Sequence, residues 1–260
     1  TPPARMDVQN GLAAALPQGM LTGGMDAVLR RRLAQAPVWA QPLLRLSAIG
    51  GRQLAVDALR TCAPDLDDWL RVCAAAGVLE VHQTSWRFSH DKLRERLLAD
   101  IPADDRAALH RKFASALETA HPDTGEVAAT LAYHWERGQD LPKAAAYAAI
   151  AGDAAARRGA LSEALALLKQ ARALQDQLAV PATEKVHTQR QLAETHYGLS
   201  QHEAGAAAVR EAFELLGQPL PVGKATLGRA QLQLLAQLIS ARVWPQLPHA
   251  TTTAAAVQQT

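Results

Sequence analysis

Residues 78–101 read VLEVHQTSWRFSHDKLRERLLADI, and the pattern changes in the middle. Up to Phe88 the period is two: Leu79 and Val81 alternate with polar residues, as do Trp86 and Phe88 across a short polar turn. Successive strand side chains point to opposite faces, so this alternation predicts a β-hairpin over 78–88. After Asp91 the period becomes helical, with Leu93, Leu97, Leu98 and Ile101 on one face until Pro102 ends the run. Ser89, His90 and Asp91 stand at the join. Ser89 and Asp91 are expected to cap this helix and complement its dipole. A histidine in a first helical turn lies where free N–H groups favour an anion.

Upstream of the hairpin, AVLRRRLAQ, VWAQPLLRLSAI, RQLAVDALRTC and DLDDWLRVCAAAG read as helices, broken at Pro37, Gly50-Gly51 and Pro64. The last carries Leu66, Trp69, Leu70 and Cys73 at helical spacing and stops at Gly77. Three helices followed by a hairpin predict a winged helix at about residues 37–100. Downstream, Leu109, Phe113 and Leu117 align on a further helix. Beyond His121 the pattern becomes a series of helices near 123–138, 141–158, 161–178, 183–199, 202–216 and 224–243, with Gly138, Gly159, Pro181, Gly198 and Gly217 in or beside the breaks. A shift of about 41 residues superposes Leu168-Lys169-Gln170-Ala171 on Val209-Arg210-Glu211-Ala212. A hairpin period near that length is the signature of a helical solenoid of tetratricopeptide type, although the usual period is about 34.

The expected fold is therefore mainly α: a winged-helix domain followed by a tetratricopeptide-like helical-hairpin solenoid. A flexible leading segment occupies 1–25, the winged helix with its flanking helices 26–120, the repeats 121–243 and a disordered tail 244–260. Composition agrees. Of 260 residues, 48% are hydrophobic and only 4% aromatic, and alanine supplies much of the apolar count. That favours closely packed helices over a large sheet.

Several functions are not supported. A formal charge of +2 implies no polyanion partner by itself. Cys62 and Cys73 have neither Cys-x-x-Cys spacing nor the density of a disulfide scaffold, so buried reduced thiols are expected, in keeping with cytoplasm. No signal peptide or apolar run of about 18 residues is present in the sequence, so no membrane association is expected. The nearest approach to a phosphate-binding loop, GQPLPVGKA from Gly217, has five residues between its glycines and alanine where the magnesium-binding hydroxyl belongs. HEAGA from His202 starts like a zinc helix, but alanine stands at 206. No metal site and no catalytic residue is expected. A winged helix often reads DNA with the helix before its hairpin. Here that helix carries Asp65, Asp67 and Asp68 against Arg71, which opposes phosphate contact, so nucleic acid is not the expected partner.

The order of motifs carries a resemblance. Arg87-Phe88-Ser89-His90-Asp91, then Leu109-His110-Arg111, then YHWERGQDLPKAAAYAAIAGDAAARRGALSEALALLKQARAL at 133–174, together resemble the C-terminal half of STAND-class signalling ATPases. In that class the half follows an AAA-type ATPase module in large regulators. The resemblance implies that His90, at the start of a winged-helix α-helix, contacts the phosphates of ADP held by a module elsewhere in a longer parent. Ser89 stands where the class has methionine. It further implies a non-catalytic regulatory fragment that binds no cofactor itself, with ADP or ATP belonging to the parent. Its partner would be that ATPase module; independently, stacked helix pairs create a concave groove for a protein or peptide, where Tyr133, Trp135, His196 and Tyr197 are the expected contacts. The alternatives are a winged-helix transcription regulator touching DNA and a stand-alone helical-repeat scaffold.

Overall fold

The computed structural model describes residues 18–218. Its first helix, α1 (Gln18–Gln35), begins inside the segment expected to be a flexible lead. The expected helix at 224–243, the tail at 244–260 and residues 1–17 lie outside the described residues. Pro37 breaks the chain after α1, a single 3-10 turn spans Val38–Ala40, and α2 (Gln41–Gly50) follows with a proline in its first turn. That position suits proline because its missing N–H would be unpaired there anyway. Then come α3 (Val56–Cys62), α4 (Leu66–Ala75), β1 (Leu79–His82), β2 (Ser85–Phe88), α5 (Asp91–Ala99) and α6 (Ala103–Ala120).

β1 and β2 are antiparallel, with Leu79 opposite Phe88 and His82 opposite Ser85. Only the first of these pairs is in the core: Leu79 and Phe88 are buried, whereas Val81 is 57% exposed. The expected inward alternation thus holds for one step, because the strands run past the core into solvent. A third extended segment was not legible in the sequence. Phe88 donates to the Arg52 carbonyl at 3.1 Å and Leu54 to the Trp86 carbonyl at 2.8 Å, so residues 52–54 pair with the free edge of β2. RQLAVDALRTC is therefore not one helix. Gly51, at φ 139°, makes the left-handed turn that lets the chain leave α2 in extended form.

The remaining described helices are α7 (Ala128–Arg137), α8 (Leu141–Arg157), α9 (Leu161–Gln177), α10 (Ala182–Gly198) and α11 (His202–Leu215). Each packs mainly on its neighbours in the chain. α7 starts five residues later than its pattern suggested, since Pro122 to Val127 form turns instead. A shift of 41 residues carries the start of α8 onto that of α10, and the start of α9 onto that of α11. The connecting turns repeat as well. Gln139, Gly159, Ser200 and Gly217 all have positive φ and each donates its N–H three residues back, while the next residue donates five residues back. This is the Schellman helix ending, and it satisfies carbonyls that a helix otherwise leaves unpaired.

Two of those left-handed positions are not glycine. The glycines that marked these breaks, Gly138 and Gly198, precede them and serve another purpose: a Cβ at either would press on the side chain of Arg111 or Leu161. Ser200, at φ 60°, carries a steric cost that glycine would not. Ser200→Gly should therefore raise stability by about 0.5–1 kcal/mol, seen as a higher Tm, and Gly159→Ala should lower it by a similar amount.

One apolar cluster runs from Leu29 through Trp69, Phe88 and Phe113 to Leu131, Trp135 and Leu174, so the first six helices and the start of the stack share a core. Within the stack the crossings are made by alanine and by Gly152, where a Cβ would lie 2.6 Å from Leu168 Cγ. α10 differs. It buries Thr188, Gln189, Gln191, Thr195 and His196, and two of these take partners across helices: Gln175 donates to Thr188 Oγ1 at 3.0 Å and Gln189 to Glu211 Oε2 at 2.8 Å.

Candidate functional site

Ser89, His90 and Asp91 divide the work differently from the expectation. The N-cap of α5 is His90, whose Nδ1 accepts from the Lys92 N–H at 3.1 Å. Ser89 is turned away from α5 and donates through Oγ to the Gly77 carbonyl at 2.7 Å, tying the start of α5 to the end of α4. The expected serine cap is thus corrected: the hydroxyl goes to the Gly77 carbonyl, and the imidazole takes the cap. Asp91 does sit in the first turn, where the helix dipole favours it, and it pairs with Arg52 at 3.0 Å. Both partners are about half exposed, so the pair contributes less than about 1 kcal/mol.

With Nδ1 accepting, the neutral His90 ring carries its proton on Nε2. The side chain is exposed, and that N–H has no partner among the described residues. Beside this helix start, Arg52, Gln53, His82, Gln83, Ser85 and Arg87 line an open cleft of about 300 Å³. Both arginines already hold carboxylates, Arg87 with Glu80 at 2.7 Å. The region offers donors to an anion without enclosing one.

The partner-contact residues are not brought together. Trp135 is buried, donates from Nε1 to Glu118 at 2.9 Å, and lies under Lys143, whose Nζ is 3.9 Å from the ring centre. His196 is buried and its Nδ1 is 2.7 Å from Gln201 Oε1 within the α10–α11 turn. Only Tyr133 and Tyr197 are exposed, on α7 and α10; Tyr197 covers Gly205.

Sequence reasoning missed a second constellation. Leu109-His110-Arg111 on α6 and Tyr133-His134-Trp135 through Gly138 on α7 are two halves of one joint. His110 and His134 meet Nδ1 to Nδ1 at 2.9 Å, Arg111 donates to the Gly138 carbonyl at 2.6 Å, and Glu118 receives Trp135 and Lys143. Phe113 stacks against His134 with ring centres 4.6 Å apart. Burial, and then the neighbouring imidazole, push His134 down to about 4; burial and the Arg137 charge lower His110.

Other chemistry is weak. Burial pushes the Cys73 thiol up to about 12, which removes it as a nucleophile. Cys62 and Cys73 are both free. Among the described residues no group of three or more His, Cys, Asp or Glu side chains is placed to hold a metal ion. No described helix is long and apolar enough to cross a membrane. The chain matches no protein-family model, and neither a curated protein nor a solved structure shows significant similarity to it.

Proposed function

We propose that this chain is a non-catalytic regulatory and interaction unit, of the kind that follows the nucleotide-binding module in STAND-class signalling ATPases, acting in the cytoplasm. In this reading α2 to β2 form a winged helix that relays the nucleotide state, and α7 to α11 form tetratricopeptide-like hairpins that present a partner surface. Support for the winged helix is the order helix, extended segment, helix, helix and hairpin, with 52–54 paired to β2. Support for the repeats is the 41-residue recurrence of both helix starts and turn conformation. The exposed Tyr133 and Tyr197 are the side chains of the stack best placed to meet a protein or peptide.

One observation carries the relay: an exposed imidazole at a helix N-terminus has its Nδ1 committed to the cap and its Nε2–H left outward. One such donor contributes too little to capture a nucleotide alone, but enough to bias a switch whose phosphates are held by another module. DNA contact is the weaker reading. α4 and the N-cap before it expose Asp65, Asp67 and Asp68, and the nearest cations are already taken, Arg60 by Asp67 and Arg71 by Asp68.

The test separates cap from contact. His90→Asn keeps an N-cap acceptor and replaces the imidazole Nε2–H with an amide N–H on a shorter side chain that does not reach as far. The variant chain should melt within about 1 °C of the native one, whereas His90→Ala should lose about 0.5–1 kcal/mol with the cap. A coding sequence upstream of Thr1 that lacks a phosphate-binding loop would remove the module this reading requires.

A further inference from the structure

The α6–α7 joint contains something that neither a hydrophobic seam nor a helix cap requires, namely two imidazoles facing each other at 2.9 Å through Nδ1. A neutral imidazole carries its proton on one nitrogen. The contact holds when one Nδ1 bears a proton and the other accepts it, and it fails when both bear one. The rings have little room to turn away. His134 is only 2% exposed, between Phe113 at 4.6 Å and Tyr133 at 5.1 Å.

The surrounding charges offer no stabilisation to an imidazolium. α6 carries Asp104, Asp105, Arg106, Arg111, Lys112 and Glu118, α7 carries Tyr133, Glu136 and Arg137, and α8 carries Lys143, Tyr147, Asp153 and Arg157. α2 and α3, which also pack on α6, carry Arg45, Asp57 and Arg60. No carboxylate acts on either imidazole: Glu118 holds Trp135 and Lys143, Glu136 accepts from Gln170 at 2.5 Å, Asp57 acts on Arg60, and Asp153 pairs with Arg157. Besides the two imidazoles themselves, the charge that acts on the pair is that of Arg137, and it is positive.

We propose that His110 and His134 form an acid-released latch, which holds the helical stack to the first helical unit while the rings are neutral and loosens the α6–α7 joint when they take up protons. The direction follows from linkage. Burial holds His134 near 4 in the closed joint, against about 6.5 in an opened one. The opened joint therefore binds more protons, so the latch is complete above about pH 6.5 and weakens progressively as pH falls toward 4. At pH 5, protonation of His134 alone favours the open form roughly thirtyfold.

Amide hydrogen exchange on the full chain tests this, with each rate divided by the intrinsic rate at the same pH. Between pH 7.5 and 5 the protection of α6 and α7 should fall roughly thirtyfold, while α4 and α9 change little. His134→Asn should cancel that fall. A uniform loss across all helices, no loss, or an equal loss in His134→Asn would overturn the proposal. Imidazole ¹⁵N spectra of the native chain decide the matter independently of whether the variant folds. At pH 7.5 one of the two rings should be the Nδ1-protonated tautomer, and its signals should change over the same pH range as the protection. Two Nε2-protonated rings at pH 7.5 would contradict the latch.

Discussion

Phe113→Ala should destabilise the chain by about 3–5 kcal/mol, the usual cost of emptying a buried aromatic site, and lower its Tm by roughly 10 °C. Phe113 is 2% exposed and is the side chain through which three helices meet. It lies on α6, its ring packs on His134 of α7, and its edge lies against Gly50 at the end of α2. The last contact makes a sharper test. A methyl group at Gly50 would fall inside the Phe113 ring, so Gly50→Ala alone should also destabilise, by about 1–3 kcal/mol, although alanine is the better helix former. In the Phe113→Ala background the same methyl enters the vacated space. The double variant should then be more stable than the sum of the two single losses implies, with a coupling of at least about 1 kcal/mol. Denaturant unfolding of the four proteins measures this, and additive losses would show that the helices do not meet as described.

Trp69→Ala should cost a similar 3–5 kcal/mol, for a reason that Trp69→Phe can divide in two. Trp69 is 2% exposed on α4 and donates from Nε1 to the Ala40 carbonyl at 3.1 Å, fixing the 3-10 turn over the first helical unit. Phenylalanine retains most of the apolar contact but leaves a buried carbonyl without this donor, which costs about 1–3 kcal/mol. Trp69→Phe should therefore fall between the native chain and Trp69→Ala in urea midpoint. If Trp69→Phe matches the native chain, the hydrogen bond contributes nothing, and the turn is held by packing alone.

Much of this was legible because local patterns settled it. The change of period at Ser89 placed the hairpin and α5, and the leucine and alanine spacing placed most of the stack. Contacts between distant residues were not legible. His110 and His134 are 24 residues apart on different helices, and no spacing rule links them. The sequence assigns the cap to Ser89 and Asp91, because serine and aspartate are common helix caps, whereas His90 takes it in the structure. The carbonyl of Gly77, twelve residues upstream, decided it by taking the serine. The turns are a related case: Gly138 and Gly198 do mark breaks, but tight helix contacts need them there, and Gln139 and Ser200 take the left-handed positions.

The relay proposed for His90 needs only its outward Nε2–H, whereas the fold uses its Nδ1 as the cap of α5. The dissociation rate of ADP from the longer parent that this proposal requires, with and without His90→Asn, tests it most directly. A hydrogen bond to a charged phosphate is worth about 1.5–3 kcal/mol, so the variant should release ADP roughly tenfold to a hundredfold faster while the chain keeps its Tm. An unchanged rate in a stably folded variant would contradict the account and leave His90 as the cap of α5 and nothing more.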